Sequence, residues 1–189
     1  YFMDSHDIGE RKIYRLINYD ILDALVIFSV TFLDEDILTR IVNGANQKGI
    51  PVISIDRELE GCISVCIDDL EAIYKITSHM IEEHHAKNIN FIAGGKGQGC
   101  SEARIEAYKR ALRDHNLEVD ERRIDYGDFW DGPTLEAMQR FVDSGMPMPE
   151  AVVCANDVMA LAVEEFLEQR GFRVPEDIMI TGYDGITEA

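Results

Sequence analysis

The stretch from Met148 to Ile186 constrains the fold more than any other part of the chain. It reads PEAVVCAND, then VMALAVEEFLEQRGFRVPED, then IMITGYDGI. Ala151, Val152, Val153 and Cys154 make a short continuous apolar block, the pattern of a strand covered on both faces. From Val158 onward, Met159, Ala162, Val163, Phe166 and Leu167 recur at three- and four-residue spacing, with Glu164, Glu165, Glu168 and Gln169 on the other side. That spacing predicts an amphipathic helix. Gly171 stands where a C-cap glycine would, and Pro175 forbids continuation. A second apolar run, Ile178 to Thr181, then delivers Gly182, Tyr183 and Asp184 at its carboxyl end. The unit is therefore β-α-β. In open parallel sheets ligands bind beyond the carboxyl ends of the strands, so connectivity alone places Asn156, Asp157 and Asp184 at one mouth. Asn156 equally suits the N-cap of its helix, where its side chain accepts from an orphan backbone N–H.

The rest of the chain repeats the alternation. A helical segment near Arg11 to Asn18 is followed by a strand from Ala24 to Ser29, a helix from Asp34 to Gln47 and a strand from Pro51 to Ile55. Strands alternating with helices of this length imply right-handed βαβ units and a parallel sheet, hence an α/β fold. Residues 58–62, ELEGC, are polar and hold Gly61, as a linker between lobes would. SVCI then reads as a strand, and Asp68 opens a helix with Leu70, Ile73, Ile76, Met80 and Ile81 on one face. INFIAG is the next strand, and Ser101 to Asn116 the next helix, with Ile105, Tyr108, Ala111 and Leu112 on its inner stripe. This places Arg104 in the first turn, where the helix dipole disfavours a cation unless something compensates. A surface pair with Glu102 or Asp128 is one candidate. RIDYGDFWDGPT gives a further strand and loop, and Leu135 to Ser144 a helix that MPMP breaks. The expected division is 1–60 for a first lobe, 61–185 for a second, and 186–189 for the start of a return crossover.

Charge excludes one class of partner. With 36 acidic residues against 18 basic ones the net charge is −18, so the surface repels phosphate backbones and this segment is not expected to read nucleic acid itself. No apolar run approaches the roughly 20 residues of a membrane helix, and the N-terminus lacks the basic and apolar regions of a signal peptide. The opening residues YFM have the look of a strand tail, which points to an excised fragment. Cys62, Cys66, Cys100 and Cys154 show no C-x-x-C or metal-finger spacing. Were Cys62 and Cys66 on one strand they would lie ~13 Å apart, beyond disulfide reach. Reduced thiols and a cytoplasmic setting are expected.

Two patterns tempt toward a cofactor or a metal. Gly94 to Gly99 has the Walker A glycine spacing, but Cys100 stands where the phosphate-binding lysine must be, and the dinucleotide fingerprint also fails at Cys100. His79 and His84 are five residues apart rather than the three or four that bring ligands onto one helix face, so no metal site is expected there. No cofactor is expected either.

The segment CANDVMALAVEEFLEQRGFRVPEDIMITGYDGI resembles the effector domain of the LacI/GalR transcription regulators, over more than thirty consecutive positions with every Gly, Pro, Asn and Asp in register. That resemblance extends over nearly the whole chain. It implies a two-lobed, type 1 periplasmic-binding-protein-like fold with Rossmann-like lobes, the first of them incomplete. It also implies ligand-facing roles for Asp56, Ser101, Arg104, Phe129, Asn156 and Asp184, with Trp130 as the alternative aromatic and Tyr108 as part of the serine-arginine-tyrosine pattern. Turn, cap and core roles remain open for several of these residues. Ala107 departs from the family glycine, and His84 and His85 stand where the family shows glycine-histidine. An acid, an amide, a guanidinium and a ring together suit a small polyhydroxylated effector such as a sugar or nucleoside. Asp157 and Asp184 could be imagined as a glycosidase pair, but nothing in the sequence fixes their spacing, so no enzymatic activity is expected. Two lobes closing on the ligand, a homodimer, and DNA contact only through a region absent from this chain complete what the resemblance implies. A transport-type solute receptor, or a sensor fused to another output, is the alternative.

Overall fold

The computed structural model describes residues 12–29 and 34–187. The strand tail expected at Tyr1 to Met3 lies outside them. The expected helix near Arg11 to Asn18 is seen, from residue 12, as helix running into a 3-10 turn at Tyr14–Leu16. The chain divides into two compact units, Tyr1–Ile67 and Asp68–Ala189.

In the first unit, β1 (Leu25–Phe28), β2 (Val52–Ile55) and β3 (Ile63–Val65) form a parallel sheet in the order β1-β2-β3. Helix α1 (Glu35–Gln47) connects β1 to β2. It starts where the Asp34 carboxylate accepts the backbone N–H groups of Asp36 and Ile37, replacing intrahelical partners those groups lack. Its buried stripe of Ile37, Leu38, Ile41, Val42 and Ala45 packs with Ile27, Ile50 and Val52. Register places Val26, Ile53 and Ile63 in one row and Phe28, Ile55 and Val65 in the next. Val26, Phe28, Ile63 and Val65 are all exposed.

The strand expected at SVCI corrects the boundary near residue 60. It is formed by Ile63–Val65, with Cys66 and Ile67 outside it, and pairs with β2, so it completes the first sheet instead of opening the second lobe, and the division falls between Ile67 and Asp68. ELEGC is a turn within the unit, with Gly61 at φ 76°. Polar residues around a glycine look the same in a turn and in a linker, and only strand pairing separates the two.

In the second unit, α2 (Asp69–Glu82), β4 (Ile89–Ala93), α3 (Gly99–Asp114), β5 (Ile124–Tyr126), α4 (Asp131–Asp143), β6 (Ala151–Cys154), α5 (Asp157–Glu168) and β7 (Met179–Thr181) alternate along the chain. The strands are all parallel, in the order β5-β4-β6-β7. Helix α2 packs on α3, and α4 on α5. Strands β4 and β6 are buried along their whole length, as continuous apolar runs demand. Phe91 stacks on Tyr108 at 5.1 Å between ring centres, and the Tyr108 hydroxyl donates to the Ile89 carbonyl at 2.7 Å. Burying each such large side chain contributes about 1.5–3 kcal/mol.

Two helices begin earlier than periodicity predicts. α3 starts at Gly99, within the glycine cluster, so Arg104 lies in the second turn and not the first. α4 starts at Asp131, four residues before Leu135, and the Thr134 hydroxyl donates to the Trp130 carbonyl at 2.6 Å. Neither first turn carries aliphatic or aromatic residues for a helical pattern to detect.

Candidate functional site

Four loops leave the carboxyl ends of the second sheet: Gly94 after β4, Gly127 to Trp130 after β5, Ala155 and Asn156 after β6, and Gly182 to Asp184 after β7. The strand order reverses direction between β4 and β6, because β4 is followed by β5 on one side and β5 by β6 on the other. A crevice opens at such a switch point.

Arg104 reaches this end from α3 and is 8% exposed. Its Nη2 donates to Asp69 Oδ2 at 2.8 Å and Nε to the same oxygen at 3.3 Å, while Nη1 donates to the Ala155 carbonyl at 2.6 Å. The guanidinium carbon lies 4.5 Å from the centre of the Tyr183 ring and 5.8 Å from that of Phe129. The Tyr183 hydroxyl donates to Asp69 Oδ1 at 2.7 Å. Asp69 therefore binds an arginine with one oxygen and a phenol with the other. Burial and the bond to Asp69 push the Tyr183 hydroxyl up to about 12. The compensating partner for Arg104 is Asp69, not Glu102 or Asp128.

Asn156 is the N-cap of α5: its Oδ1 accepts the Met159 N–H at 3.0 Å, and its Nδ2 donates to the Phe129 carbonyl at 3.2 Å. It is thus both a cap and the tie between the β5 and β6 loops. Phe129 is half-buried with φ 63°, next to Asp128 at φ 50°. L-residues occupy this region rarely, and consecutive non-glycine examples mark a loop held by its surroundings. The Phe129 ring lies over Gly94, where an added Cβ would come within 2.0 Å of it, so only glycine admits the ring. Trp130 is 54% exposed and stands at the start of α4.

Asp157 is buried, and its Oδ2 accepts the N–H groups of Gly185 at 2.6 Å and Ile186 at 2.8 Å. Gly182 is needed beside it, since a Cβ there would meet Asp157 Oδ1 at 2.1 Å. The carboxylate shapes the loop that presents Asp184, which is exposed and has φ 117°. Partial burial, and then the negative charges of Asp157 and Asp69, raise the Asp184 carboxyl above the usual range, against the pull of Arg104. Ser101, in the first turn of α3, is fully buried, and its hydroxyl finds no hydrogen-bond partner among the described residues.

Of the six residues the sequence nominates, Arg104, Phe129, Asn156 and Asp184 meet at this end of the second unit, and Ser101 stands one turn before Arg104 on α3. Asp56 belongs to the first unit. It follows β2 at φ 64° and donates its N–H to the Val65 carbonyl at 2.8 Å. Tyr108 faces the core and not this site. Sequence reasoning missed Asp69 and gave Tyr183 no role. The only signal for Asp69 was a pair of acids at a helix start, which capping by Asp68 already explains. Its partners lie 35 and 114 residues away in sequence.

A parallel α/β unit with an arginine, two carboxylates, an amide and aromatic rings gathered at one strand end defines a ligand-binding class of domain. The chain belongs to the periplasmic binding protein-like domain family, whose model matches residues 77–189. It is 28% identical over 181 residues to the HTH-type transcriptional repressor PurR of Photobacterium profundum, covering 95% of this chain and 52% of that protein. The structure of a transcriptional regulator CelR–cellobiose complex superposes with a TM-score of 0.80 at 28% identity, covering 95% of this chain and 54% of the other. A sugar-binding LacI-family regulator from Escherichia coli complexed with phosphate gives 0.78 at 26% identity, covering 94% and 63%. The likeness to LacI/GalR regulators and the α/β periplasmic-binding-protein-like fold read from the sequence are borne out. The chain spans about half the length of PurR. No helix among the described residues is long and apolar enough to cross a membrane.

Proposed function

We propose that this chain is the effector-sensing part of a LacI/GalR-like transcriptional regulator and takes a small polyhydroxylated ligand, a sugar or nucleoside, at the carboxyl ends of β4 to β7. The observation that carries this reading is the meeting of Arg104, Phe129, Asn156, Tyr183 and Asp184 there. Asp184 offers acceptors to vicinal hydroxyls, and the rings offer apolar faces to C–H surfaces; Ser101 is fully buried and is proposed as a contact on the strength of the family resemblance alone. The cellobiose bound by one structural relative is a ligand of that chemistry. Asp56 is a further proposed contact, on the strength of the family resemblance. Binding would bias the arrangement of the two units, and DNA contact and dimerisation are assigned to the complete regulator. Catalysis has no part in the reading: the Asp157 carboxylate holds the loop through the Gly185 and Ile186 amides.

Thermal-shift screening of the tag-free chain against monosaccharides, disaccharides and nucleosides tests the proposal, with calorimetry on each hit. Asp184→Asn, at an exposed position, should keep the fold and weaken binding by about 10–100-fold, the cost of one hydrogen bond to a charged group. A panel in which nothing binds, or a hit that binds Asp184→Asn and Phe129→Ala as tightly as the native chain, overturns it.

A further inference from the structure

We propose that His79 and His84 form a two-imidazole site for a divalent transition-metal ion at the C-terminal end of α2, outside the ligand site. Their separation of five residues argued against a shared helix face, but α2 ends at Glu82 and His84 is no longer helical. The cap residue Glu83 donates its N–H to the His79 carbonyl at 3.0 Å. The Ala86 N–H then reaches back to the Met80 carbonyl at 3.1 Å. Between them His85 takes φ 58°, the left-handed conformation that usually falls to glycine after a helix. This reversal carries the His84 ring back over the last turn. The two Nε2 atoms lie 3.2 Å apart, and the rings meet edge to face with centres 5.0 Å apart.

That distance has a specific meaning. Two Zn–N bonds of about 2.0–2.1 Å at a tetrahedral angle put their nitrogens ~3.3–3.4 Å apart. The same atoms could share a proton in a hydrogen bond, for which 3.2 Å is the long edge of the usual range. The surroundings favour a cation. The helix C-terminus carries partial negative charge, and the chain as a whole carries −18. Both rings are exposed, so an ion reaches them without opening the fold. Among the described residues no cluster of three or more His, Cys, Asp or Glu side chains could hold a metal. Glu82, in the last turn, accepts from His115 at 2.8 Å. The ion is therefore held by two protein ligands, with water in its remaining positions, and exchanges readily. Imidazole selects Zn²⁺, Ni²⁺ and Cu²⁺ over the oxygen-preferring Mg²⁺ and Ca²⁺, with Cu²⁺ tightest.

The test is calorimetric titration of the tag-free, metal-stripped chain with zinc chloride, in the presence of excess Mg²⁺. One Zn²⁺ per chain is expected, together with NMR shifts at the His79 and His84 rings. Loss of a direct ligand should cost at least the ~10-fold seen when an outer-shell partner is lost, in His79→Ala and His84→Ala alike. His85→Gly should leave binding unchanged, since glycine suits the left-handed position. The proposal is overturned if the His79→Ala/His84→Ala double variant binds Zn²⁺ like the native chain. It is equally overturned if stoichiometric Zn²⁺ leaves both ring signals unmoved, because the rings then share only a hydrogen bond.

Discussion

Replacing Asp69 with alanine strands the guanidinium of Arg104. The arginine is 8% exposed, and two of its three donations go to the Asp69 carboxylate; the one to the Ala155 carbonyl is left, beside the Tyr183 and Phe129 rings and the charge of Asp184. Removing one member of a buried ion pair costs about 3–5 kcal/mol. The Asp69 side chain is 24% exposed and water can reach the orphaned cation, so the lower end applies, about 3 kcal/mol. With a urea dependence of about 1–3 kcal/mol per molar, the unfolding midpoint should fall by about 1–3 M. Trp130, the only tryptophan, lies in the second unit, so its fluorescence follows that unit alone. Arg104→Met removes the charge instead and leaves a carboxylate still bonded to the Tyr183 hydroxyl. The double variant should then be more stable than the sum of the two losses allows, by about 1–3 kcal/mol. Additive losses in that cycle would show that Asp69 does not hold Arg104, and the account of the site would fail with it.

Three further outcomes follow from the same geometry. Gly94→Ala drives a methyl group into the Phe129 ring and should cost about 1–3 kcal/mol by thermal unfolding, with ligand affinity falling as the ring moves; an unchanged melting temperature would mean that the ring sits elsewhere. Asp157→Ala frees the Gly185 and Ile186 amides, so their hydrogen exchange should quicken more than that of the β6 amides, a contrast absent if the loop holds itself. His115 has its pKa raised by its bond to Glu82 and, less, by the Ala111 carbonyl. A raised folded-state value contributes stability below the unfolded value of about 6.5 and loses it as the pH rises through the folded one. The gap in urea midpoint between the native chain and His115→Ala should therefore be wider near about pH 6 than near about pH 9, and a gap that widens with alkali would reverse the assignment.

Much of the second unit was legible because each of its signals is local. Apolar runs at Ile89 to Ala93 and Ala151 to Cys154 mark strands buried on both faces, and the stripe from Met159 to Leu167 marks a helix. Local signals failed where one pattern serves two structures. ELEGC reads equally as linker or turn, and the glycine cluster hid the first turn of α3. The spacing of His79 and His84 is informative only while the helix continues, and it stops between them.

The order of strands and helices, the strand ends that bear Asn156, Phe129 and Asp184, and the net acidity were set by the residues read in order, since periodicity, caps and charge are read directly from the chain. The bonds from Asp69 to both Arg104 and Tyr183 and the fit of Phe129 over Gly94 were decided by tertiary structure alone. Each depends on the distance between side chains that the folded backbone brings together, and that distance is written in no stretch of sequence.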